Sequence, residues 1–115
     1  DTVEVNFSYY NLGSPLTYAS MAAKVPEGFR FVVKANKGMT HEREANDAVF
    51  REYLTAIRPL IEADKFGCVL AQFPWSFKRT PAAEAYLRAF RDRMEGIPTV
   101  VEFRNRQWCS PEVYA

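Results

Sequence analysis

Six polar side chains recur at the same relative place in four apolar, β-type runs: Glu4 and Asn6, Lys34, Gln72, and Glu102 with Arg104. Each run is rich in Val and Phe, and each polar residue falls in its middle or late part, just before a loop. Side chains alternate along a strand, so Val100, Glu102 and Arg104 share one face while Val101 and Phe103 share the other. Unpaired buried charge is costly, so these groups are expected either to pair across neighbouring strands or to meet a ligand. Lys34, expected between the carboxylates of Glu4 and Glu102, has the chemistry of an electrophile, a Schiff-base nucleophile or a counter-ion. Glu4 and Glu102 have that of a general acid or base. The competing expectation is a Glu4–Lys34–Glu102 ion network that only fixes the interior, although desolvation makes such networks poor stabilisers.

The loops that follow these runs add charge and aromatic surface. Strand ends and loops together hold seven cations (Lys34, Lys37, Arg43, Lys78, Arg79, Arg104 and Arg106) against the four carboxylates Glu4, Glu42, Glu44 and Glu102. This local excess of three exceeds the chain's net charge of +1, and helix N-termini starting here add positive potential. A small anionic ligand bearing phosphate or carboxylate is the expected guest. Tyr9, Tyr10, Trp75 and Trp108 lie in the same loops, either to stack on a sugar or base or to anchor the loops. His41, the single histidine, suits acid/base work near carboxylates. With no second histidine and no metal-type Cys spacing, no metal site and no cofactor is expected. No Gly-rich phosphate loop, nucleophile elbow or Walker pattern occurs.

The elements that position these residues read in strict alternation. The run 3–7 is a strand, and Ser14-Pro15 then caps a helix carrying Tyr18, Met21, Ala22 and Val25. The run 29–35 is a second strand, followed by a polar loop over 36–44. A long helix from about Asn46 carries Phe50, Tyr53, Leu54, Ile57 and Ile61 on one stripe, with a kink or early end expected at Pro59. The run 68–73 is a third strand. Thr80-Pro81 opens a helix with Ala83, Leu87, Phe90 and Met94 inward and a Glu84–Arg88 pair outward. The fourth strand follows Pro98, and Ser110-Pro111 repeats the start signal of a helix.

Strand–helix alternation predicts an α/β fold with a parallel sheet. A doubly wound sheet would be apolar on both faces. Here one parity is apolar (Val5, Phe31, Val33, Val69, Ala71, Phe103) and the other carries the polar set. That asymmetry predicts a partial (β/α)8 TIM-type barrel of about four consecutive βα units, with the polar parity toward the axis and the site at the C-terminal mouth. Residues 1–115 are expected to form a single partial domain, an excerpt of a larger barrel. Alone, such a piece is expected to self-associate through its open edges. No apolar run approaches the roughly 20 residues of a membrane span, so no membrane partner is expected. Cys68 and Cys109, far apart, read as free thiols of a cytoplasmic protein.

Five motifs in order carry a resemblance across all 115 residues. They are Val3-Glu4-Val5-Asn6 with Tyr9-Tyr10; the run 29–35; Thr40-His41-Glu42-Arg43; Gln72-Phe73-Pro74 with Ser76-Phe77; and Val101-Glu102-Phe103-Arg104 with Trp108. The chain resembles the YecE-like family, domain of unknown function 72. The resemblance implies a TIM-type barrel of which this chain covers the second to fifth strands, and it implies no established activity. It places the family's signature polar residues at Glu4, Asn6, Lys34, His41, Arg43, Gln72, Glu102, Arg104 and Trp108. Three functions compete: an enzyme acting on a small anionic or sugar-like substrate, with Glu4, Lys34 and Glu102 catalytic and Asn6, Tyr9, His41, Arg43, Gln72, Arg104 and Trp108 binding; a nucleic-acid-binding or -processing barrel; and a non-catalytic ligand-binding barrel.

Overall fold

The computed structural model describes residues 2–108. Four strands, β1 (Thr2–Val5), β2 (Arg30–Lys34), β3 (Phe66–Phe73) and β4 (Thr99–Phe103), form one sheet in the order β1-β2-β3-β4. Every pairing is parallel. Sequential order with parallel pairing means each strand is laid beside the last after one helical crossover, as in a barrel wall.

Four helices are described: α1 (Pro15–Ala23), α2 (Lys37–Thr40), α3 (Asp47–Glu62) and α4 (Pro81–Arg93). Both Ser/Thr-Pro signals act as expected. Ser14 accepts from the Thr17 amide and Thr80 from the Ala83 amide, and a proline with no amide to satisfy fills the first turn. Along α3, Phe50, Tyr53, Leu54, Ile57 and Leu60 are buried. Ile61, expected on that stripe, is exposed, because Leu60 completes the i, i+3 step from Ile57. Helix α3 continues through Pro59 to Glu62. Pro59 lies in the last turn, where one amide bond is lost and little helix remains beyond it.

The core lies on one face of the sheet. Val5, Phe31, Val33, Val69, Ala71 and Phe73 are buried with Tyr18 and Ala22 of α1, the stripe of α3, and Ala83 and Phe90 of α4. The intervening residues Val32, Lys34, Leu70 and Gln72 are only half-buried and belong to the opposite face. Single-faced burial is the parity asymmetry of the sequence made visible. Beside α4 and β4 lies an apolar groove of about 470 Å³ whose walls include Leu87, Met94 and Val101.

Three local expectations are corrected. The 36–44 loop contains α2, because the Asn36 side chain accepts from the Gly38 amide and opens a helical turn. Strand β1 stops at Val5, and Phe7–Tyr9 forms a 3-10 turn in which the Tyr9 amide donates to Asn6 O. Glu84 lies 3.9 Å from Arg79, its partner in place of Arg88. The helix start at Ser110-Pro111 and the Cys109 thiol lie outside the described residues. Among the described residues, no helix is long and apolar enough to cross a membrane.

Candidate functional site

The site is assembled from the loops at the C-terminal ends of the strands. Ser8, fully buried, donates its hydroxyl to Lys34 O at 2.6 Å, so the turn after β1 is fastened to the end of β2. Asn36 closes the same joint: its Nδ2 donates to Ser8 O at 2.9 Å while its Oδ1 caps α2. The joint sets Tyr9 under the ammonium group of Lys34, which lies 5.0 Å from the ring centroid. The Tyr9 ring meets the His41 ring edge-on at 5.1 Å. Desolvation raises the Tyr9 phenol's pKa above its ordinary value, with Tyr10 and Glu42 adding to the shift, so the phenol stays neutral beneath Lys34.

His41 follows α2, with Nδ1 2.8 Å from Thr40 Oγ1. Arg43 donates to Thr40 O at 2.7 Å, and its guanidinium lies 4.7 Å from the Phe77 ring centroid. Arg43 and Ala45 both hold positive φ, 51° and 47°, a backbone that costs a non-glycine residue roughly 1–2 kcal/mol. Buried Asn46 holds this strained loop down: its Nδ2 donates to Gly38 O and to the Tyr86 hydroxyl, and its Oδ1 accepts from Arg93. Strain retained at a loop bearing His41 and Arg43 fits a functional segment.

Charge converges on His41. Its pKa is lowered from the ordinary histidine value first by desolvation, then by the charges of Arg43, Lys34 and Arg104, with Glu42 opposing. The cations come from three places in the fold: the end of β2, the loop after α2, and the segment after β4. Neutral imidazole is the form this crowding favours, which leaves the ring able to accept a proton.

The carboxylates are placed differently from expectation. Register puts Lys34 level with Leu70, and Leu70 level with Val100, whereas Glu102 is level with Gln72 and Glu4 with Val32. Glu4 thus lies one pleat below Lys34 and Glu102 one pleat above, roughly 7 Å along the strands in each direction. Among the described residues no salt bridge joins Lys34 to either, so Lys34 is not held between two carboxylates. Glu102 accepts instead from Gln72 Nε2 at 3.1 Å. Glu4 and Asn6 are exposed on the first strand and its turn, and Arg104 is exposed beyond β4.

Trp108 requires the clearest correction. Only 1% exposed, it stacks between Phe103 (4.6 Å) and Phe77 (5.2 Å) and donates Nε1–H to Phe77 O. It anchors a loop and offers no face to a ligand, since both sides of the indole are already covered. The exposed rim aromatics are Trp75 and Tyr10, 63% and 76% accessible. Ser8, Asn36 and Asn46, which fasten the loops, were not among the expected site residues. Asn36 before Lys-Gly carried a readable cap signal, whereas Ser8 and Asn46 show their role only through contacts distant in sequence. Among the described residues no group of three or more His, Cys, Asp or Glu is placed to hold a metal ion.

A parallel, sequentially ordered βα sheet with its polar set at the strand ends and the following loops defines a β/α-barrel protein. The chain belongs to the family described as protein of unknown function DUF72, whose profile matches residues 1–115. It is 35% identical over 118 residues to UPF0759 protein YunF of Bacillus subtilis (strain 168), covering 97% of this chain and 42% of that protein. A solved DUF72 family protein of Enterococcus faecalis V583 superposes with a TM-score of 0.89 at 29% identity, over 98% of this chain and 47% of that one. Another, from Thermotoga maritima MSB8, gives 0.82 at 33% identity, over 98% and 45%. The chain therefore spans less than half the length of each of these relatives and corresponds to part of the barrel.

Proposed function

We propose that this segment supplies the anion-receiving part of a TIM-type barrel's C-terminal mouth, and that the whole protein is an enzyme acting on a small anionic or sugar-like substrate. The observation that carries this reading is the crowding of Lys34, Arg43 and Arg104 around His41, three cations delivered by three different elements. Like charges repel, and an arrangement that gathers three of them against the single carboxylate of Glu42 is stabilised by a bound anion. Arg104, exposed and without an ion pair among the described residues, has its guanidinium edge open for a bidentate oxyanion contact. In this reading Glu102, which accepts from Gln72, serves as general acid or base, with His41 as the second such group. A free Cys68 thiol fits a reducing, cytoplasmic setting.

The test uses the full-length protein. Calorimetric titration with phosphate, sulfate and sugar phosphates should give saturable binding to at least one of them. Arg104→Lys should weaken it and Arg104→Ala should weaken it further. Loss of turnover with retained binding in Glu102→Gln would assign catalysis to Glu102; retained turnover would take that role from Glu102, and binding without turnover in the parent would leave a non-catalytic binding barrel. A second reading, a nucleic-acid-binding barrel, rests on exposed Trp75 and Tyr10 beside the basic rim. It is favoured if oligonucleotides bind more tightly than any small anion and with a steep salt dependence.

A further inference from the structure

A second cavity opens on the outer side of the same rim, between the loop after α2 and the loop after β3, with a volume of about 450 Å³. Two cations, Arg43 and Lys78, line it, and no carboxylate does. Ser76 and Thr80 bring hydroxyl groups, while Phe77 and Ala83 make an apolar floor. Neither cation forms a salt bridge among the described residues. Arg43 spends one N–H on Thr40 O and lies over Phe77, which fixes its plane and leaves donors over. Lys78 lies 5.5 Å from the centroid of the exposed Trp75 ring. The Tyr86 hydroxyl in the wall is already used, donating to Met39 O and accepting from Asn46, so it shapes the pocket without binding into it.

We propose that this cavity is a second oxyanion subsite, adjoining the mouth, that takes a phosphate monoester with its phosphate between Arg43 and Lys78 and its ring or chain on the Phe77–Ala83 floor. Two cations without a carboxylate select a dianionic head. The apolar floor favours an ester carrying a flat apolar group over free phosphate. Arg43 is common to both sites, so an extended substrate held in the mouth has a natural second contact here.

The experiment titrates the full-length protein with inorganic phosphate and with phenyl phosphate, following heat and Trp fluorescence. Phenyl phosphate should bind more tightly than phosphate and should perturb Trp75, the ring beside Lys78. Lys78→Gln removes a charge-assisted contact from an exposed side chain and should weaken phenyl phosphate about tenfold. Ala82→Leu, at an exposed lining position, should weaken it comparably by filling the space. Lys24→Gln, at an exposed cation closing α1, should leave phenyl phosphate binding unchanged, whereas Lys34→Gln should weaken only a mouth component that the outer-pocket variants spare. Unchanged affinity in both Lys78→Gln and Ala82→Leu overturns the proposal, as does absence of binding in the parent. Loss confined to Lys34→Gln overturns it too, while supporting the mouth as the anion site. Loss confined to the outer-pocket variants supports the proposal even where the mouth reading fails.

Discussion

Arg104 and Trp108, four residues apart, do opposite jobs. Arg104 is exposed beyond the strand, whereas Trp108 is sealed between Phe103 and Phe77. Arg104→Ala should therefore change stability by no more than about 0.5 kcal/mol, as for surface sites in general. Trp108→Ala should cost about 3–5 kcal/mol through the cavity it leaves, with the orphaned Phe77 carbonyl adding to it. Urea unfolding of both variants measures the contrast. A large loss in Arg104→Ala would mean that the guanidinium is structural. His41 adds a pH dependence of known sign. Its folded-state pKa lies below its unfolded value, so the unfolded chain binds more protons as pH falls through that window. Stability should decline on acidification between the unfolded and folded values, and His41→Asn should remove that part of the decline in pH-dependent melting curves. Polar residue types and parity made Lys34, Gln72, Glu102 and Arg104 legible in the sequence. The side of the fold on which Trp108 sits was not, because a tryptophan after a strand fits equally in a loop surface or beneath it.

Among elements, the strands and the two Ser/Thr-Pro helices were the most readable, since period-2 alternation and a cap followed by proline are local signals. Helix α2 was hidden because its residues 37–40 contain Gly and Thr, poor helix formers, and its start depends on one Asn36 side chain. The relative register of the strands was also hidden. An irregularity between Phe31 and Val32 shifts the β2–β3 pairing, and no local pattern in the sequence encodes that shift; Lys34 and Glu102 are set apart by the pairing above it, Lys34 with Leu70 and Leu70 with Val100. The Asn36 joint gives a prediction at this scale. Asn36→Ala removes both the α2 cap and the bond to Ser8 O, which should cost about 1–3 kcal/mol. Because the joint holds Tyr9 against Lys34 and His41, hydrogen exchange should speed up at Ser8–Tyr10 and at 37–41 together. Acceleration at 37–41 alone would show that the turn after β1 is held by other contacts.

At the scale of the whole chain, the sheet formed by the described residues has two open edges. Strands β1 and β4 each lack one neighbour among the described residues, and Val3, Val100 and Val101 are exposed beside them. Exposed parallel edges recruit further strands, so the 115-residue polypeptide produced alone should sediment above its 13.2 kDa monomer mass. A monodisperse monomer would show that the edges are already protected. What the molecule achieves as a whole is to bring the ends of β2 and β4 and the loop after α2 to one place, and His41 stands at that meeting point. Its proton equilibrium therefore reads the assembly directly. In the full-length protein, NMR titration of the His41 ring should give a pKa below the ordinary histidine value, moving upward when phosphate is added because the bound anion offsets Arg43, Lys34 and Arg104. A His41 pKa at or above the ordinary value that phosphate leaves unmoved would contradict an anion site at this mouth.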